Sequence, residues 1–183
     1  MTVTALDPRT ALVVVDLQKG ILGLPTVHPV ADVVKNAGAL ADAFRARGLP
    51  VVLVTVDGGA PGRTEQSFGR REMPADWADL APELNQHPSD KTVLKRTWGA
   101  FTGTDLDAYL KGEGVTQVVV VGVATTAGVE STARHAHENG YHVTLAVDAM
   151  TDFSPEAHDN SVQRIFPRIG ETGTTAEIVA LLP

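Results

Sequence analysis

The sequence predicts an α/β protein built on a parallel sheet with helices on both faces. Three observations carry this. Short β-branched runs alternate with longer segments of helical period along the whole chain, as strand–helix–strand crossovers require. The chain of 183 residues is 43% hydrophobic, enough to bury one sizeable core, and is expected to form a single domain over residues 1–183. It shows no internal repeat and no low-complexity tract that would suggest another architecture.

Along the chain, "ALVVVD" (11–16) reads as a strand buried on both faces, since its apolar run does not alternate with polar residues. In "ADVVKNAGALADAFRARG" (31–48), Val33, Val34, Ala37, Leu40, Ala41 and Phe44 recur at helical spacing, and Gly48 stops the helix. "PVVLVTV" (50–56) is a second strand. Residues 57–79, rich in Gly, Pro and charge, read as a long excursion of the functional kind. Lys95 follows another short apolar run. "TDLDAYLKGEG" (104–114) is a helix with Thr104 as N-cap, Asp105 and Asp107 at the positive end of its dipole, and Gly112 or Gly114 at its end. "QVVVVG" (117–122) is a strand, 128–140 a helix and "HVTLAVDA" (142–149) a strand. "SPEAHDNSVQRIF" (154–166) opens with Ser at N-cap and Pro at N1, a good helix start. A short strand near Ile169 and a helix over 175–182 close the chain.

Composition excludes several functions. With no cysteine, the chain has no disulfide, thiolate metal site or thiol catalysis. A formal charge of −7 argues against a nucleic-acid partner, which needs clustered Lys and Arg. The apolar runs are far too short for a membrane span of about 20 residues. The N-terminus lacks a basic region followed by an apolar one, so a cytoplasmic protein is expected. The six histidines (28, 87, 135, 137, 142 and 158) form no ligand spacing, so neither metal nor cofactor is expected.

In parallel sheets ligands bind at the carboxyl ends of strands. That rule selects Asp16, the 57–71 loop, Lys95 and the 122–128 turn. A carboxylate ending a central strand is costly unless it is paired or functional; otherwise Asp16 is an N-cap or turn former. Lys95 is either a surface lysine or its partner, holding the carboxylate and tuning its pKa. The two are expected at the ends of adjacent strands. The turn "GVATTAGVE" opens a helix, so the amides around Gly128 form either an anion nest or a plain helix start capped by Thr125 or Thr126. Either threonine could also act as a nucleophile, although no adjacent base is visible. In the long loop, Arg63, Arg70 and Arg71 could clamp a carboxylate or form a solvated patch, and Gln66 could orient a substrate. Trp98 and Phe101 either wall the pocket or pack in the core, with core the safer assignment. Trp77 covers the pocket or a subunit contact.

"ALVVVDLQKGI", "LKRTWGAFTGTDLDAYL", "VVVVGVATTAGVESTARHAHENGY" and "HDNSVQRIFPRI" together resemble the isochorismatase-like hydrolase superfamily, in order and over nearly the whole chain. The resemblance implies a Rossmann-like three-layer α/β/α sandwich with a mostly parallel sheet of about six strands. Cysteine-hydrolase members use an Asp–Lys–Cys triad. Asp16 and Lys95 match the first two, and Gly128 stands at the nucleophile position, as in the cysteine-less isochorismatases proper. A non-proline cis peptide would fall at Val123–Ala124, and the amides matching Ala124 and Gly128 form the oxyanion hole of amidase members. Isochorismatases proper hydrolyse a vinyl ether by acid catalysis, which implies Asp16 as acid, Lys95 as its partner and Gly128 as space. They carry Tyr where this chain has Ala124 and His where it has Thr126. Nicotinamidases carry an Asp-x-His metal motif where this chain has Asp57, Gly58 and Gly59, which again implies no metal. "GVESTARxA" and the "DNS…PRI" ending resemble a bacterial subgroup without an established substrate. The implied function is a cysteine-independent hydrolase of a small, carboxylate-bearing metabolite, assembled as a homo-oligomer; the alternative is a catalytically silent binding or interaction protein on the same fold. Asp16 and Lys95 held apart would favour the alternative.

Overall fold

The computed structural model describes residues 3–65 and 73–183. Among these, six strands form one sheet: β1 (Thr10–Val15), β2 (Val51–Val56), β3 (Lys91–Lys95), β4 (Gln117–Val123), β5 (His142–Thr151) and β6 (Glu171–Gly173). Their order is β3-β2-β1-β4-β5-β6 and every pairing is parallel. This is the Rossmann-like order, with the direction of winding reversing between β1 and β4. The crevice outside those two strand ends is where such sheets bind ligands.

The residues of β1 explain the layering. All six are buried, with Leu12 and Val14 on one face and Ala11, Val13 and Val15 on the other. The first face packs α2 (Val30–Ala46), through Val33, Val34, Ala37, Leu40, Ala41 and Phe44, and α6 (Thr175–Leu181), through Ile178. The second packs α3 (Leu106–Gly112), through Leu106 and Leu110, and α4 (Glu130–Glu138), through Ala133 and Ala136. A strand between two such layers must be apolar on both sides, which is why no alternation shows in its sequence. No described helix is long and apolar enough to cross a membrane.

Several boundaries differ from those expected of the sequence. The short helix α1 (Lys19–Leu22) and a 3-10 turn at Pro82–Leu84 were not expected. Helix α3 begins at Leu106, whose N–H donates to the Thr104 hydroxyl at 3.3 Å. The helix expected over 154–166 changes winding twice. It starts as α5 (Pro155–Asn160), capped by Ser154 as expected, widens over Ser161–Ile165 and tightens over Phe166–Arg168. The last strand lies two residues beyond Ile169, at Glu171. Strand β5 runs on to Thr151, because a register shift after Val120 lets Met150 and Thr151 pair with Gly122 and Val123.

Candidate active site

Asp16 directly follows β1 with φ 55, left-handed backbone that ends the strand. Aspartate tolerates this better than most residues, at about 1–2 kcal/mol. Its N–H donates to Val54 O at 2.9 Å, so the strand end stays anchored while the side chain turns. Lys95 ends β3, is 2% exposed, and donates from Nζ to Asp16 Oδ2 at 2.7 Å and to Thr97 O at 3.2 Å. The strands are not adjacent as the sequence suggests: β2 lies between β1 and β3. The lysine chain spans that gap of about 10 Å, two strand spacings. Asp16 Oδ1 is buried and has no hydrogen-bond partner among the described residues. Burial pushes the Asp16 carboxyl up from 3.8 to about 6, against the lowering influence of the Lys95 ammonium.

The turn after β4 supplies the facing wall. The Val123–Ala124 peptide is cis. Residues Thr125–Val129 form one wide turn, with Ala124 O accepting from Ala127 N at 3.0 Å and from Val129 N at 3.2 Å, before α4 continues. Gly128 is buried against the dyad. A Cβ built there would lie 2.9 Å from Val15 Cγ1 and 3.2 Å from both Asp16 Oδ2 and Val123 O. The glycine thus brings the start of the helix against the carboxylate. Around these three residues the sheet order, the buried acid and the helix start coincide at the β1/β4 crevice.

Residues 10–177 match the model of the Isochorismatase domain. The chain belongs to the isochorismatase family. Members of this family are hydrolases. The chain is 44% identical over 178 residues to an uncharacterized isochorismatase family protein, YwoC, of Bacillus subtilis (strain 168), covering 93% of each chain. It is 41% identical over 182 residues to another, YecD, of Escherichia coli O157:H7, covering 94% of this chain and 96% of that one. Its fold superposes on an isochorismatase family protein from Burkholderia thailandensis with a TM-score of 0.94, at 42% identity and 97% coverage of both chains.

The remaining residues selected from the sequence of this isochorismatase-family chain fall in different places. Ala124 is 7% exposed, in the turn. Thr125 and Thr126 are in it too, but their hydroxyls are occupied. Thr125 Oγ1 lies 2.9 Å from His158 Nδ1, and Thr126 donates from N and Oγ1 to Asp152 Oδ2 at 2.7 and 2.8 Å. Arg63 is exposed on the long loop. Gln66, Arg70 and Arg71 lie outside the described residues. Trp98 is not core, being 65% exposed where the chain leaves the edge strand β3. Phe101 does pack against the core and lies 6.0 Å from the Tyr141 ring. Trp77 lies flat over Gly20 and donates from Nε1 to Val56 O at 3.0 Å. Grooves of about 540 Å³ beside Lys19 and Asp79 and of about 410 Å³ beside His142 are lined by neither Asp16 nor Lys95.

Four contributors escape a reading of the sequence. Asp152, 3% exposed, ties the end of β5 to Thr126 and also accepts from Phe153 N at 2.7 Å. Gln18, fully buried, accepts from Val56 N and donates to Val56 O and Trp77 O, pinning the chain after Asp16 to the end of β2. Ser161 donates to Glu130 Oε2 at 2.5 Å, joining the "DNS" and "GVESTAR" segments. His158 had a signal: with Val162, Ile165 and Phe166 it lies on the apolar stripe of its helix, where a histidine must find a buried partner.

Proposed function

We propose that this chain hydrolyses a small, carboxylate-bearing metabolite without a covalent intermediate, a vinyl ether of the isochorismate type being the model substrate. The observation that carries the reading is the Asp16 carboxyl. It is buried, its pKa is raised to about 6, and its Oδ1 is free of protein partners among the described residues, beside Gly128. Protonated Asp16 delivers its proton to the enol-ether carbon, and the electron pair of the double bond forms the new C–H bond. Water adds to the resulting oxocarbenium ion and returns a proton to the Asp16 carboxylate. The hemiketal then breaks its C–O bond to give a keto acid and an alcohol. Lys95 stabilises the carboxylate left after the transfer. Gly128 keeps a side chain out of the space beside Asp16 Oδ2. Ala124, Thr125 and Thr126 shape the wall opposite. Arg63, Gln66, Trp98 and Phe101 are the candidates for contacts to the rest of the substrate, and no metal or other cofactor enters the scheme.

The test is release of pyruvate from isochorismate and from other small vinyl-ether acids, with ammonia release from amides measured in parallel. Pyruvate release should vanish in Asp16→Asn. It should also fall about tenfold per pH unit above about 6, because the acid must be protonated. A rate that rises through that pH would make Asp16 a base and sink the acid mechanism.

We also propose a cytoplasmic homo-oligomer, a dimer or larger. Trp98 at 65%, Leu94 at 50% and Phe153 at 49% exposure are large apolar side chains of the kind subunit contacts cover. Light scattering that gives only the 19.3 kDa species would contradict it.

A further inference from the structure

The base that the sequence did not reveal beside Thr125 is His158. Its Nδ1 lies 2.9 Å from Thr125 Oγ1, and its ring packs edge-on against His28, with centroids 4.7 Å apart and planes at 64°. His28 is held in turn by Thr151, whose hydroxyl accepts from His28 N at 3.0 Å and lies 3.3 Å from its Nδ1. A hydroxyl beside an imidazole is the arrangement that activates a nucleophile. Burial decides against that role, because Thr125 has no exposed surface for a substrate to reach. The pair holds the first residue of the turn, and Gly128, three residues on, lies against Asp16.

We propose that His158 is a positioning residue of the active-site turn: its ring locks Thr125 and so fixes the Ala124–Gly128 segment against Asp16. This rests on the reading of Asp16 and Gly128 as the reacting centre. The ionisable groups facing His158 are His28 on the segment before α2, Asp152 after β5, and Asp159 on its own helix; the turn itself contributes only Thr125. Burial foremost, then His28, lowers the His158 pKa, and the two aspartates oppose this. The balance favours the neutral ring. Protonation on the acid side puts a second donor and a charge into a buried site next to another histidine, and the lock on Thr125 loosens.

The test needs no substrate. Backbone amide signals of residues 125–129 are followed in ¹⁵N-labelled protein through a titration from about pH 8 to about pH 4, alongside the His158 ring signal. The turn amides should move with the His158 midpoint, below its ordinary 6.5. His158→Asn keeps a hydrogen-bonding atom near the place of Nδ1 but does not titrate, so that component should disappear with the amides left near their neutral-pH positions. His158→Leu should displace them at every pH. Where it does not fold, Thr125→Ser and Thr125→Val give the same contrast. Any movement that persists in His158→Asn arises at a group other than His158, Asp16 beside Gly128 and Asp152 on the Thr126 N–H being the two in contact with the turn; if all of it persists, or if His158→Leu leaves the amides in place, the proposal is overturned. With active substrate in hand, His158→Leu should lower kcat about 10- to 100-fold with little change in KM, and His158→Asn should restore most of it. An inactive wild type, or an active Asp16→Asn, would instead overturn the acid mechanism and leave the titration result standing.

Discussion

Replacing Lys95 by Met removes the cation that faces Asp16 across 2.7 Å and leaves a chain of similar reach in its place. Burial holds the carboxyl at about 6, and Lys95 is what keeps it from rising further. At an effective dielectric constant of about 20, unit charges at that distance attract by about 6 kcal/mol, an upper figure. Single opposite charges in contact shift a carboxyl by about 1–3 units. Asp16 in Lys95→Met should therefore titrate at about 7–9. The measurement is the Asp16 side-chain carbonyl in ¹³C NMR, assigned by its loss in Asp16→Asn. If Asp16 is the acid, the basic limb of the activity profile moves up with it. A midpoint that stays at about 6, or falls, would refute the account of what sets this carboxyl.

The same substitution has a stability signature whose sign is fixed. In the wild type the folded-state pKa lies above the unfolded one, so the contribution of Asp16 is fully present below 3.8 and is lost as pH rises through about 6. The loss is about 3 kcal/mol, roughly two units at 1.36 kcal/mol each. In Lys95→Met the window extends upward with the midpoint. At about pH 5 the variant holds a neutral acid beside a thioether and should unfold close to the wild-type denaturant midpoint. At about pH 9 it holds an unpaired buried carboxylate and should be less stable by about 3–5 kcal/mol.

Two further substitutions test the turn. Gly128 does not have positive φ, so Gly128→Cys should fold at a cost of about 1–3 kcal/mol for the crowding against Val15. Its thiol, at a helix start close to Lys95, should react with iodoacetamide much faster than a surface cysteine, and hydrolysis should be lost; an ordinary slow thiol would mean that residue 128 does not face the dyad. Gly122→Ala should fail more severely. At φ 122 its Cβ would lie 2.0 Å from Val15 O, a backbone atom of the central strand, so a loss above about 4 kcal/mol in chemical denaturation is expected.

Asp16 and Lys95 were legible because each is a charge closing an apolar run, and only strand ends place such residues together. Their relative position was not legible. Sequence order does not give strand order, and the segment after β2 carries the chain outward to β3 rather than back towards β1. Gly128 showed as a helix start. The wide winding before α4 did not, because a hydrogen bond reaching back five residues, Val129 N to Ala124 O, leaves no mark in composition. The partners of the turn were invisible for a similar reason. Asp152 and His158 lie 26 and 33 residues beyond the threonines they hold; Asp152 is an ordinary polar residue until the fold brings it there, and the apolar stripe around His158 says that it is buried but not against what. Trp98 misled because aromatic residues near a strand usually face the core; β3 is the edge of the sheet, and the chain beyond it turns outward.

Two costs fall on Asp16 together. Its left-handed backbone is disfavoured, and its ionised form is disfavoured by burial despite a lysine at 2.7 Å. A buried ion pair is seldom a net gain over apolar residues of the same shape, so packing alone gives no reason to keep one at a sheet end. Strain and desolvation concentrated on a single side chain are typical of groups that react. The kind of reaction depends on the neighbour. Beside a thiol, a carboxylate serves as a base, and a raised pKa would work against it by keeping the proton on. This chain has no cysteine and places Gly128 against the carboxylate. With a carboxyl at about 6, roughly a tenth of the molecules hold the proton at neutral pH, and each of those is a far stronger acid than water. Without a thiol to activate, the raised pKa favours proton donation, and that is the step with which vinyl-ether hydrolysis begins.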